Sequence, residues 1–513
     1  MADRLPWRNP SVADSTVDRE NITIAAIDLG SNSFHLVVAQ MVNGQLRVLD
    51  RLREMVRLAA GLDQSNQLER DARERAIACL KRFGQRLREM PPGSVRAVGT
   101  NTLRKLRDPE PFLAEAAAAL GHPIEIIAGR EEARLIYLGV SHGLPDCNAR
   151  RLVVDIGGGS TELILGERFE PMQMESLHMG CVSASQAYFA SGEIREKSWN
   201  KAVIAARLEL QAIEADYRRR GWGEVVGASG TIRAVADVIR AQGWSSNGIT
   251  FAALQRLVDV LLQAGHVAKL NLPGLKEERL AVFPGGVAVL YAIFQALGIE
   301  QMADSEWALR EGVLYDQVGR IRHEDVRERT IVALKQTYHV DVAQSQRVEQ
   351  TAQMVLARVA ESWQLDDDEA RSLLSWAARL HEIGLAIAHN QYHKHAAYLL
   401  ENSDMPGFSR QEQRMLALLV RSHRRKFPSA LFNGLPPSQG IRSLRLASLL
   451  RLAVLLCRSR TDYALPAFSI STAERGLTLR FPAGWLDAHP LTAADLEQEA
   501  AYLDDAKFAL QFS

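Results

Sequence analysis

The chain has 513 residues, of which 47% are hydrophobic and 24% are charged, and its formal net charge is zero. This length allows three or four domains, and the composition is typical of a globular protein. The balanced charge argues against a dedicated nucleic-acid binder, because such proteins depend on a global basic field. We expect no membrane span, since no apolar run of the required ~18 residues stands out.

The N-terminal residues and the cysteines both predict a cytoplasmic protein. Residues 1–21 are polar and lack the apolar core of a signal peptide, so we expect a loose tail there. The four cysteines are scattered and form no CxxC pair, which indicates neither a disulfide framework nor a zinc site. They are Cys79, Cys147, Cys181 and Cys457. Such cysteine usage suits a reducing cytoplasm.

The first stretch that carries chemistry is IAAIDLGSNSFHLVVA, residues 24–39. An apolar strand ends at Asp28, a turn covers residues 29–33, and a second apolar strand begins at Phe34. Glycine and hydroxyl residues in such a turn can donate hydrogen bonds to an anion. Further along, VRAVGTNTLRKL predicts a strand that ends in a polar turn, and the basic residue Arg104 follows that turn.

The segment REEARLIYLGVSHGL predicts a helix with a broad apolar face. Two acids, Glu131 and Glu132, fall in its first turn. On one interpretation both simply complement the helix dipole. On the other, one of them faces a cleft and orients a water molecule. Periodicity does not choose between these interpretations.

The stretch VVDIGGGSTELILG, residues 153–166, repeats the pattern of strand, glycine turn and strand. The glycines 157–159 can adopt positive φ and leave the backbone N–H groups open to an anion. Asp155 and Glu162 would repel a bare phosphate, so we expect a cation between them and the anion. Mg²⁺ suits that position because it binds one or two carboxylates together with phosphate oxygens and water. A tight hairpin with exposed acids is the alternative.

A third loop, within VVGASGTIRAVADVI, has residues 227–231 at the start of an apparent helix. A helix N-terminus is a ready anion site. The two loop aspartates, Asp28 and Asp155, are 155 − 28 = 127 residues apart, about the size of one domain. Two equivalent turns on two equivalent halves predict a duplicated α/β fold with a cleft between the halves.

From about residue 319 the sequence predicts helices without strand alternation. Histidines around residues 381–395 suggest a metal site. The basic run RSHRRK, residues 421–426, is either a solvated face or, in a polyphosphate enzyme, a guide for a long anionic chain. The apolar helix near residues 444–460 fits a buried bundle helix, with peripheral membrane contact as the alternative. Alternation returns at about residue 466 and predicts a small α+β region.

Several motifs, in order along the chain, resemble the exopolyphosphatase/guanosine pentaphosphate phosphatase family. They are AAIDLGSNSFHLVVA, GTNTLR, IIAGREEARLIYLGV, VVDIGGGSTEL, MGCVS, VGASGT, ERLAVFPGG, ALREGVLYD and LHEIG. The resemblance implies a duplicated α/β actin-like core of the acetate-and-sugar-kinase/Hsp70 type. It also implies that an all-α HD-like domain and a small α+β C-terminal domain follow. After the tail, the implied domains are residues 22–135, 136–318, 319–465 and 466–513.

The resemblance also implies roles for individual residues. Glu132 matches the catalytic base, and Asp155 and Glu162 match the acids that hold Mg²⁺. Arg104 matches a basic residue near the substrate phosphates. The further phosphate-binding positions are Asp28, Gly30, Ser31, Asn32, Ser33, Thr100, Asn101, Gly157, Gly158, Gly159, Ser160, Thr161, Gly227, Ser229, Gly230 and Thr231. A monovalent cation is a further candidate cofactor, and the implied assembly is a homodimer.

The HD-like region departs from a working metal site, which needs a first histidine, an adjacent His-Asp pair and a distal aspartate. Here Gln344 stands where the first histidine is expected, the pair is His381 and Glu382, and the distal helix has no aspartate. We therefore expect a structural or substrate-guiding domain without a catalytic metal. The candidates for guiding a chain are His381, Arg424, Arg425 and Lys426.

Two substrates fit the implied catalytic core. The leading interpretation is an exopolyphosphatase that releases orthophosphate processively from inorganic polyphosphate, with Glu132 orienting the attacking water. The alternative is a guanosine pentaphosphate 5′-phosphatase, which converts pppGpp to ppGpp. A sugar kinase or chaperone ATPase shares the core but has no role for the REEAR helix start. A non-catalytic (p)ppGpp sensor would be expected to lose Glu132, Asp155 or Glu162, and all three are present.

Overall fold

The computed structural model describes residues 22–42, 45–63, 65–91, 93–144, 149–321, 325–432, 435, 437–461 and 465–513. The predicted tail, residues 1–21, and Cys147 lie outside these described residues. The chain forms two units, which are the N-terminal unit, residues 1–321, and the C-terminal unit, residues 322–513.

The first half of the N-terminal unit is a five-stranded sheet with flanking helices. Its elements are β1 Thr23–Leu29, β2 Phe34–Val42, β3 Gln45–Glu54, a 3-10 helix Leu58–Gly61, α1 Arg70–Leu87, β4 Val95–Gly99, α2 Asn101–Lys105, α3 Glu110–Leu120, β5 Ile124–Ile126 and α4 Gly129–Gly143. The strand order is β3-β2-β1-β4-β5. β2 pairs antiparallel with β1 and β3, whereas β4 runs parallel to β1 and to β5.

The second half of the N-terminal unit is a six-stranded sheet of order β10-β11-β9-β6-β7-β8. Its elements are β6 Arg150–Ile156, β7 Thr161–Glu167, β8 Glu170–Leu177, α5 Cys181–Tyr188, α6 Glu196–Gln211, α7 Glu214–Arg220, β9 Glu224–Ala228, α8 Ser229–Ala241, β10 Ile249–Thr250, α9 Phe251–Ala264, 3-10 helices Val267–Lys269 and Glu277–Val282, α10 Phe283–Leu297, β11 Gln301–Asp304 and α11 Leu309–Ile321. β6 and β7 form an antiparallel hairpin, and β9 runs parallel to β6.

The two sheets repeat one topology, in which a hairpin is followed by a strand that returns parallel to its first strand. The hairpin registers are equivalent, with Asp28 opposite His35 and Asp155 opposite Glu162. Each aspartate is the second-last residue of its strand, immediately before the hairpin turn. The predicted duplication of α/β halves is therefore present in the structure.

Three clusters of buried apolar side chains hold the N-terminal unit together. One packs α1 and α3 on the first sheet, and another packs α6, α8, α9 and α10 on the second sheet. The third cluster joins the sheets, with side chains from β1, β4, β6 and β9 packed around α4 and α11. Both faces of each sheet are thus covered, which explains the continuous apolar runs in the central strands.

Helices α4 and α11 cross so closely that only glycine fits at the contact. A Cβ atom at Gly312 would lie 1.8 Å from the Leu135 carbonyl oxygen, and one at Gly139 would lie 2.1 Å from the Ala308 carbonyl oxygen. The helix α4 is continuous and packs against β7 and β8 of the second sheet. The implied domain boundary between residues 135 and 136 consequently falls inside one helix.

Beside this crossing, Asp316 of α11 is buried among three arginines. Its carboxylate accepts hydrogen bonds from Arg96 at 2.6 Å, from Arg320 at 3.0 Å and from Arg134. Burial alone would raise the pKa of Asp316, but the three guanidinium groups outweigh it and hold the pKa far below its usual range. This ionic cluster ties β4, α4 and α11 together.

One helical segment of the described chain, Glu277–Leu297, is long and apolar enough to cross a membrane. The expectation that no apolar run reaches this length is therefore wrong. Most of the segment is buried within the N-terminal unit, where α10 packs against α5 and α6. A helix that is apolar on all sides is equally typical of a protein core, so burial accounts for its composition.

The C-terminal unit is a helical assembly with a small sheet. Its elements are α12 Val326–Thr337, α13 Val342–Trp363, α14 Asp368–Leu380, a 3-10 helix Ile383–Ala386, α15 Tyr392–Asn402, α16 Arg410–Ser422, α17 Ser429–Phe432, α18 Pro437–Leu456, β12 Ser469–Ala473, β13 Gly476–Arg480, α19 Trp485–Ala488, α20 Pro490–Asp504 and β14 Ala509–Phe512. The sheet order is β12-β13-β14.

The predicted helical region and the predicted α+β region share one core. A single cluster joins side chains of α13, α14, α16 and α18 with those of β13, β14 and α20. Inside it, the buried Arg451 side chain pairs with Glu499 at 2.9 Å and donates to the Arg425 carbonyl at 2.7 Å. The small sheet therefore buries its apolar side against the helices.

We predict that Asp316→Asn lowers the free energy of unfolding of the N-terminal unit by about 3–5 kcal/mol, because it leaves buried arginines uncompensated. Hydrogen exchange of α4 and α11 amides would report this unit directly. The matched control is Asp237→Asn, whose partner Arg240 lies 3.0 Å away at a half-exposed site; we expect a change of about 0–1 kcal/mol. Equal effects of the two substitutions would contradict the account.

Candidate active site

A cavity of about 150 Å³, here the central cavity, lies where the two hairpin turns meet the starts of α8 and α11. Its walls contain Asp155, a predicted metal ligand, and Glu132, the predicted catalytic base. They also contain most of the predicted phosphate-binding residues, which are Asp28, Gly30, Ser31, Asn32, Ser33, Thr100, Asn101, Gly157, Gly158, Ser160, Ser229, Gly230 and Thr231. The fold thus brings together segments that are far apart in sequence.

Besides Arg104, three predicted phosphate-binding residues do not line the central cavity. Thr161 is fully buried, and its hydroxyl donates to the Met179 carbonyl at 2.7 Å. Gly227 lies under α8, where a Cβ atom would come within 2.5 Å of the Ile232 side chain. A Cβ atom at Gly159 would meet the Asn101 side chain at 2.6 Å. These residues shape the loops by packing, not by facing the cavity.

The glycine turn at residues 157–159 is needed for close approach between loops. None of the three glycines adopts the positive φ that the sequence suggested. Instead, a Cβ atom at Gly158 would lie 2.8 Å from the Cβ atom of Ser31. Gly180 packs against the same turn, because its Cβ atom would lie 2.5 Å from the Gly158 carbonyl carbon. Small residues here let the two hairpin turns converge on one cavity.

The structure distinguishes the two acids of the REEAR segment. Glu131 is buried and accepts two hydrogen bonds from Arg134, both at 2.8 Å. Glu132 lines the central cavity and accepts a hydrogen bond from Arg104 at 2.8 Å. Glu132 is therefore the acid that is placed to meet a ligand, whereas Glu131 belongs to the buried ionic cluster around Asp316.

Arg104 contacts the candidate base Glu132. It does not line the central cavity, and its guanidinium group donates to Glu132 and to the Ile127 carbonyl at 2.9 Å. A bond from one nitrogen to a fixed backbone oxygen anchors the guanidinium group, which in turn orients the Glu132 carboxylate. The structure thus places Arg104 in contact with the candidate base.

Burial is the largest influence on the pKa values of the two loop aspartates. Burial raises the pKa of Asp28 to about 7, with Arg310 opposing the shift and Glu132 adding to it. Burial, Glu132 and Asp28 together raise the pKa of Asp155 to about 7. The Oδ1 atom of Asp28 is buried and has no hydrogen-bond partner. Asp28 therefore has one carboxylate oxygen that no protein donor satisfies.

Glu162 stands behind the wall of the central cavity. It is buried, does not line the cavity and accepts a hydrogen bond from the Ser176 hydroxyl at 2.9 Å. Burial, followed by repulsion from Glu132 and Asp155, raises its pKa well above the usual range. Asp28, in contrast, lines the cavity and has an unpartnered buried oxygen.

The donor set suits a divalent cation of the Mg²⁺ type. Within the described ranges, no three His, Cys, Asp or Glu side chains form a closed ligand set. Mg²⁺ does not require one, because it commonly takes one or two carboxylates and completes its shell with water and phosphate oxygens. Asp28 and Asp155 supply two such carboxylates in one cavity, and a cation would satisfy the unpartnered Asp28 oxygen.

Sequence reasoning missed the basic residues of the central cavity. They are His35, Arg53, Arg233, Arg279 and Arg310. These side chains come from two strands and three helical segments, and arginine is frequent throughout this sequence, so no local pattern marks them. Cues existed nonetheless, because Arg233, Arg279 and Arg310 lie in the quoted stretches VVGASGTIRAVADVI, ERLAVFPGG and ALREGVLYD. His35 follows the hydroxyl turn by two residues.

The predicted chain-guiding residues lie in the C-terminal unit, and His381 is separate from the other three. His381 is buried and donates from Nδ1 to the Ala378 carbonyl at 2.7 Å. Its neighbour Glu382 pairs with Arg460, and Gln344 donates to the Cys457 carbonyl at 2.9 Å. The three residues that the sequence assigned to an altered metal site each contact another protein group. Arg424, Arg425 and Lys426 line a different cavity, of about 460 Å³.

Models of known protein families match both units of the chain. The model of the Ppx/GppA phosphatase family matches residues 37–321, and that of Ppx/GppA phosphatase, domain III, matches residues 326–500. A guanosine-5′-triphosphate,3′-diphosphate pyrophosphatase of Aeromonas hydrophila subsp. hydrophila is 43% identical over 475 residues, covering 93% of this chain and 95% of the relative.

Solved structures share the fold. The PPX-GPPA enzyme of Aquifex aeolicus has 25% identity and a TM-score of 0.50, covering 57% of this chain and 99% of that one. An exopolyphosphatase from Cytophaga hutchinsonii has 24% identity and a TM-score of 0.53, covering 58% and 98% of the two chains. Because the family models and the 43% identical relative together span nearly all of the sequence, the chain belongs to the Ppx/GppA phosphatase family.

Proposed function

We propose that this chain is a guanosine pentaphosphate 5′-phosphatase, which hydrolyses pppGpp to ppGpp and orthophosphate. The observation that carries the substrate is the 43% identity, along 93% of the chain, to a guanosine-5′-triphosphate,3′-diphosphate pyrophosphatase. The central cavity supports the reaction class, because it combines a candidate base, buried carboxylates and arginines. The sequence alone had favoured polyphosphate, and the relatives favour the second of the two substrates.

In the proposed reaction, Glu132 orients a water molecule and accepts its proton as the oxygen attacks the terminal phosphorus. The bond between that phosphorus and the bridging oxygen breaks, and the shortened phosphate chain leaves as an anion. Arg104 keeps the Glu132 carboxylate in place through its 2.8 Å hydrogen bond. Because the Glu132 carboxylate is already held in one position, little conformational entropy is lost when the transition state forms.

The loops and arginines of the central cavity would bind the charge of the phosphoryl groups. Backbone N–H groups at residues 30–33 and 158–160, together with the hydroxyls of Ser31 and Ser33, are suitable donors. Arg233 and Arg310 face the same cavity and would stabilise charge on the transferred oxygens. Asp28 and Asp155 would hold Mg²⁺, which when bound neutralises charge on the phosphate oxygens.

Polyphosphate remains a second candidate substrate because of one feature of the C-terminal unit. The cavity of about 460 Å³ there has five cations in its wall, and no Asp or Glu among the described residues lines it. The five are Lys394, Arg421, Arg424, Arg425 and Lys426. A wall of this charge would attract a long anionic chain.

The substrate is tested by phosphate release with Mg²⁺ from pppGpp and from long-chain polyphosphate at matched concentrations of chain ends. We expect kcat/KM for pppGpp to exceed that for polyphosphate by at least about 10-fold, a difference of 1.4 kcal/mol in transition-state binding. Neutralising Arg424 and Lys426 to glutamine should leave pppGpp turnover unchanged. A preference for polyphosphate, lost in that variant, would reverse the assignment.

The role of Glu132 is tested by comparing it with its neighbour. We predict that Glu132→Gln lowers kcat by about 10²–10⁴, the usual contribution of a general base, with little change in substrate affinity. Glu131→Gln should instead lower stability, because it breaks the buried pair with Arg134. If Glu132→Gln keeps full kcat while well-folded Glu131→Gln is inactive, the base has been misassigned.

The raised pKa values of Asp28 and Asp155 predict how stability depends on pH in chelator-treated protein. A carboxyl whose folded pKa is about 7, against 3.8 in the unfolded chain, binds its proton more tightly when folded. The free energy of unfolding should therefore fall as pH rises from about 4 to about 7. Asp28→Asn should flatten that fall, and Mg²⁺ should restore stability at pH 8.

The control for this pH experiment is Asp259→Asn, which changes an exposed carboxylate on α9. It should leave the slope of stability against pH as it is. Thermal unfolding at pH 5.5 and pH 8, with chelator and with Mg²⁺, gives all four comparisons. An Asp28→Asn protein with the unaltered slope would show that this carboxylate is already neutralised by the protein.

A further inference from the structure

A chain of three polar side chains runs from the start of α11 to the first hairpin turn. The Arg310 guanidinium Nη1 lies 3.0 Å from His35 Nδ1, and His35 Nε2 lies 2.8 Å from the Ser33 hydroxyl oxygen. All three residues line the central cavity. Ser33 is the last residue of the turn before β2 and His35 is the second residue of that strand, so the two side chains meet at this end of β2.

The guanidinium group determines the direction of both hydrogen bonds. Arginine has only donors, so His35 Nδ1 must accept the bond from Arg310. A neutral imidazole has one acceptor and one donor, and its proton is therefore on Nε2. That N–H donates to the Ser33 oxygen. The Ser33 hydroxyl, already an acceptor from His35, has its own proton left to donate.

The surroundings keep His35 neutral. Burial, then the positive charges of Arg310, Arg53, Arg233 and Arg279, lower the pKa of His35 to about 2. The nearest carboxylate by register is Asp28, which is opposite His35 in the β1–β2 hairpin. At neutral pH the imidazole consequently stays in one protonation state, and the order of donors and acceptors does not change.

We propose that His35 is a positioning residue, held by Arg310 in its Nε2–H form, which commits the Ser33 hydroxyl to donate to a phosphoryl oxygen of the substrate. The inference rests on the proposed phosphatase function and adds a residue to it. A series of hydrogen bonds that starts at a cation polarises each following donor. Ser33 is thereby a stronger donor towards an anion than an isolated serine.

The test is a double-mutant cycle on kcat/KM for phosphate release from pppGpp. Ser33→Ala should lower kcat/KM by about 10- to 100-fold, the loss of one hydrogen bond to a charged group. His35→Asn, whose amide is too short to reach Ser33, should cost about 10-fold. In the Ser33→Ala background, His35→Asn should cost less than about threefold, because its effect passes through the missing hydroxyl.

Additive losses in the cycle would overturn the proposal, since they would mean that His35 acts independently of Ser33. His35→Gln gives a second criterion, because its longer amide can donate to Ser33 and accept from Arg310. On a logarithmic scale, His35→Gln should have at most half of the loss in kcat/KM that His35→Asn has. A glutamine variant no better than asparagine, at the same melting temperature, would also overturn the proposal.

The pH profile separates positioning from acid–base chemistry. Because the His35 imidazole stays neutral, kcat/KM from pH 5.5 to pH 8 should have the same shape in the unaltered protein and in His35→Gln. If a rising or falling part of the plot of kcat/KM against pH disappears in His35→Gln, the proposal is contradicted. The matched control is His178→Asn, an exposed histidine of the same unit, which should change nothing.

The same experiment distinguishes failure of the proposed function from failure of the proposed role of His35. If the unaltered protein releases no phosphate from pppGpp, the proposed function fails. The cycle is then run with whichever phosphoanhydride it does hydrolyse, since the predicted coupling does not depend on the leaving group. If the unaltered protein is active and the losses add, only the role of His35 fails.

Discussion

The site depends on carboxylates that the fold buries in one small cavity. Asp28, Glu132 and Asp155 all line it, and the two loop aspartates have pKa values raised to about 7. Isolated carboxylates would avoid such a place, because burial without a partner is costly. Under the proposed function, a bound cation and a multiply charged phosphate would offset this cost.

Duplication of the α/β half is how the fold assembles these charges. Each hairpin delivers one aspartate beside its turn, and the helices packed between the sheets deliver Glu132 from α4 and Arg310 from α11. The α4–α11 crossing has no space for a side chain at Gly139 or Gly312. Close packing there sets the distance between the base and the loops, so the geometry of the site is anchored in the core.

Much of the fold and part of the site follow from local sequence. Apolar runs and the turn residues next to them encode the buried strands that contain Asp28 and Asp155. The same kind of pattern encodes the helix starts of the other segments. The predicted roles of the glycines 157–159 and of Glu162 depend on loop-to-loop contacts, which local patterns do not contain. The same is true of the cavity arginines, because only folding brings β3, α8 and α11 together. The choice between Glu131 and Glu132 needed the position of Arg134.

The relatives indicate the substrate more than the cavity does, because Glu132 could act on any terminal phosphoanhydride in the proposed way. The central claim is therefore that water attacks the terminal phosphorus. Hydrolysis of pppGpp in ¹⁸O-labelled water, followed by mass spectrometry, tests it most directly. The account predicts one labelled oxygen in the released orthophosphate and none in ppGpp. Label in the guanosine product, or release of pyrophosphate, would contradict it.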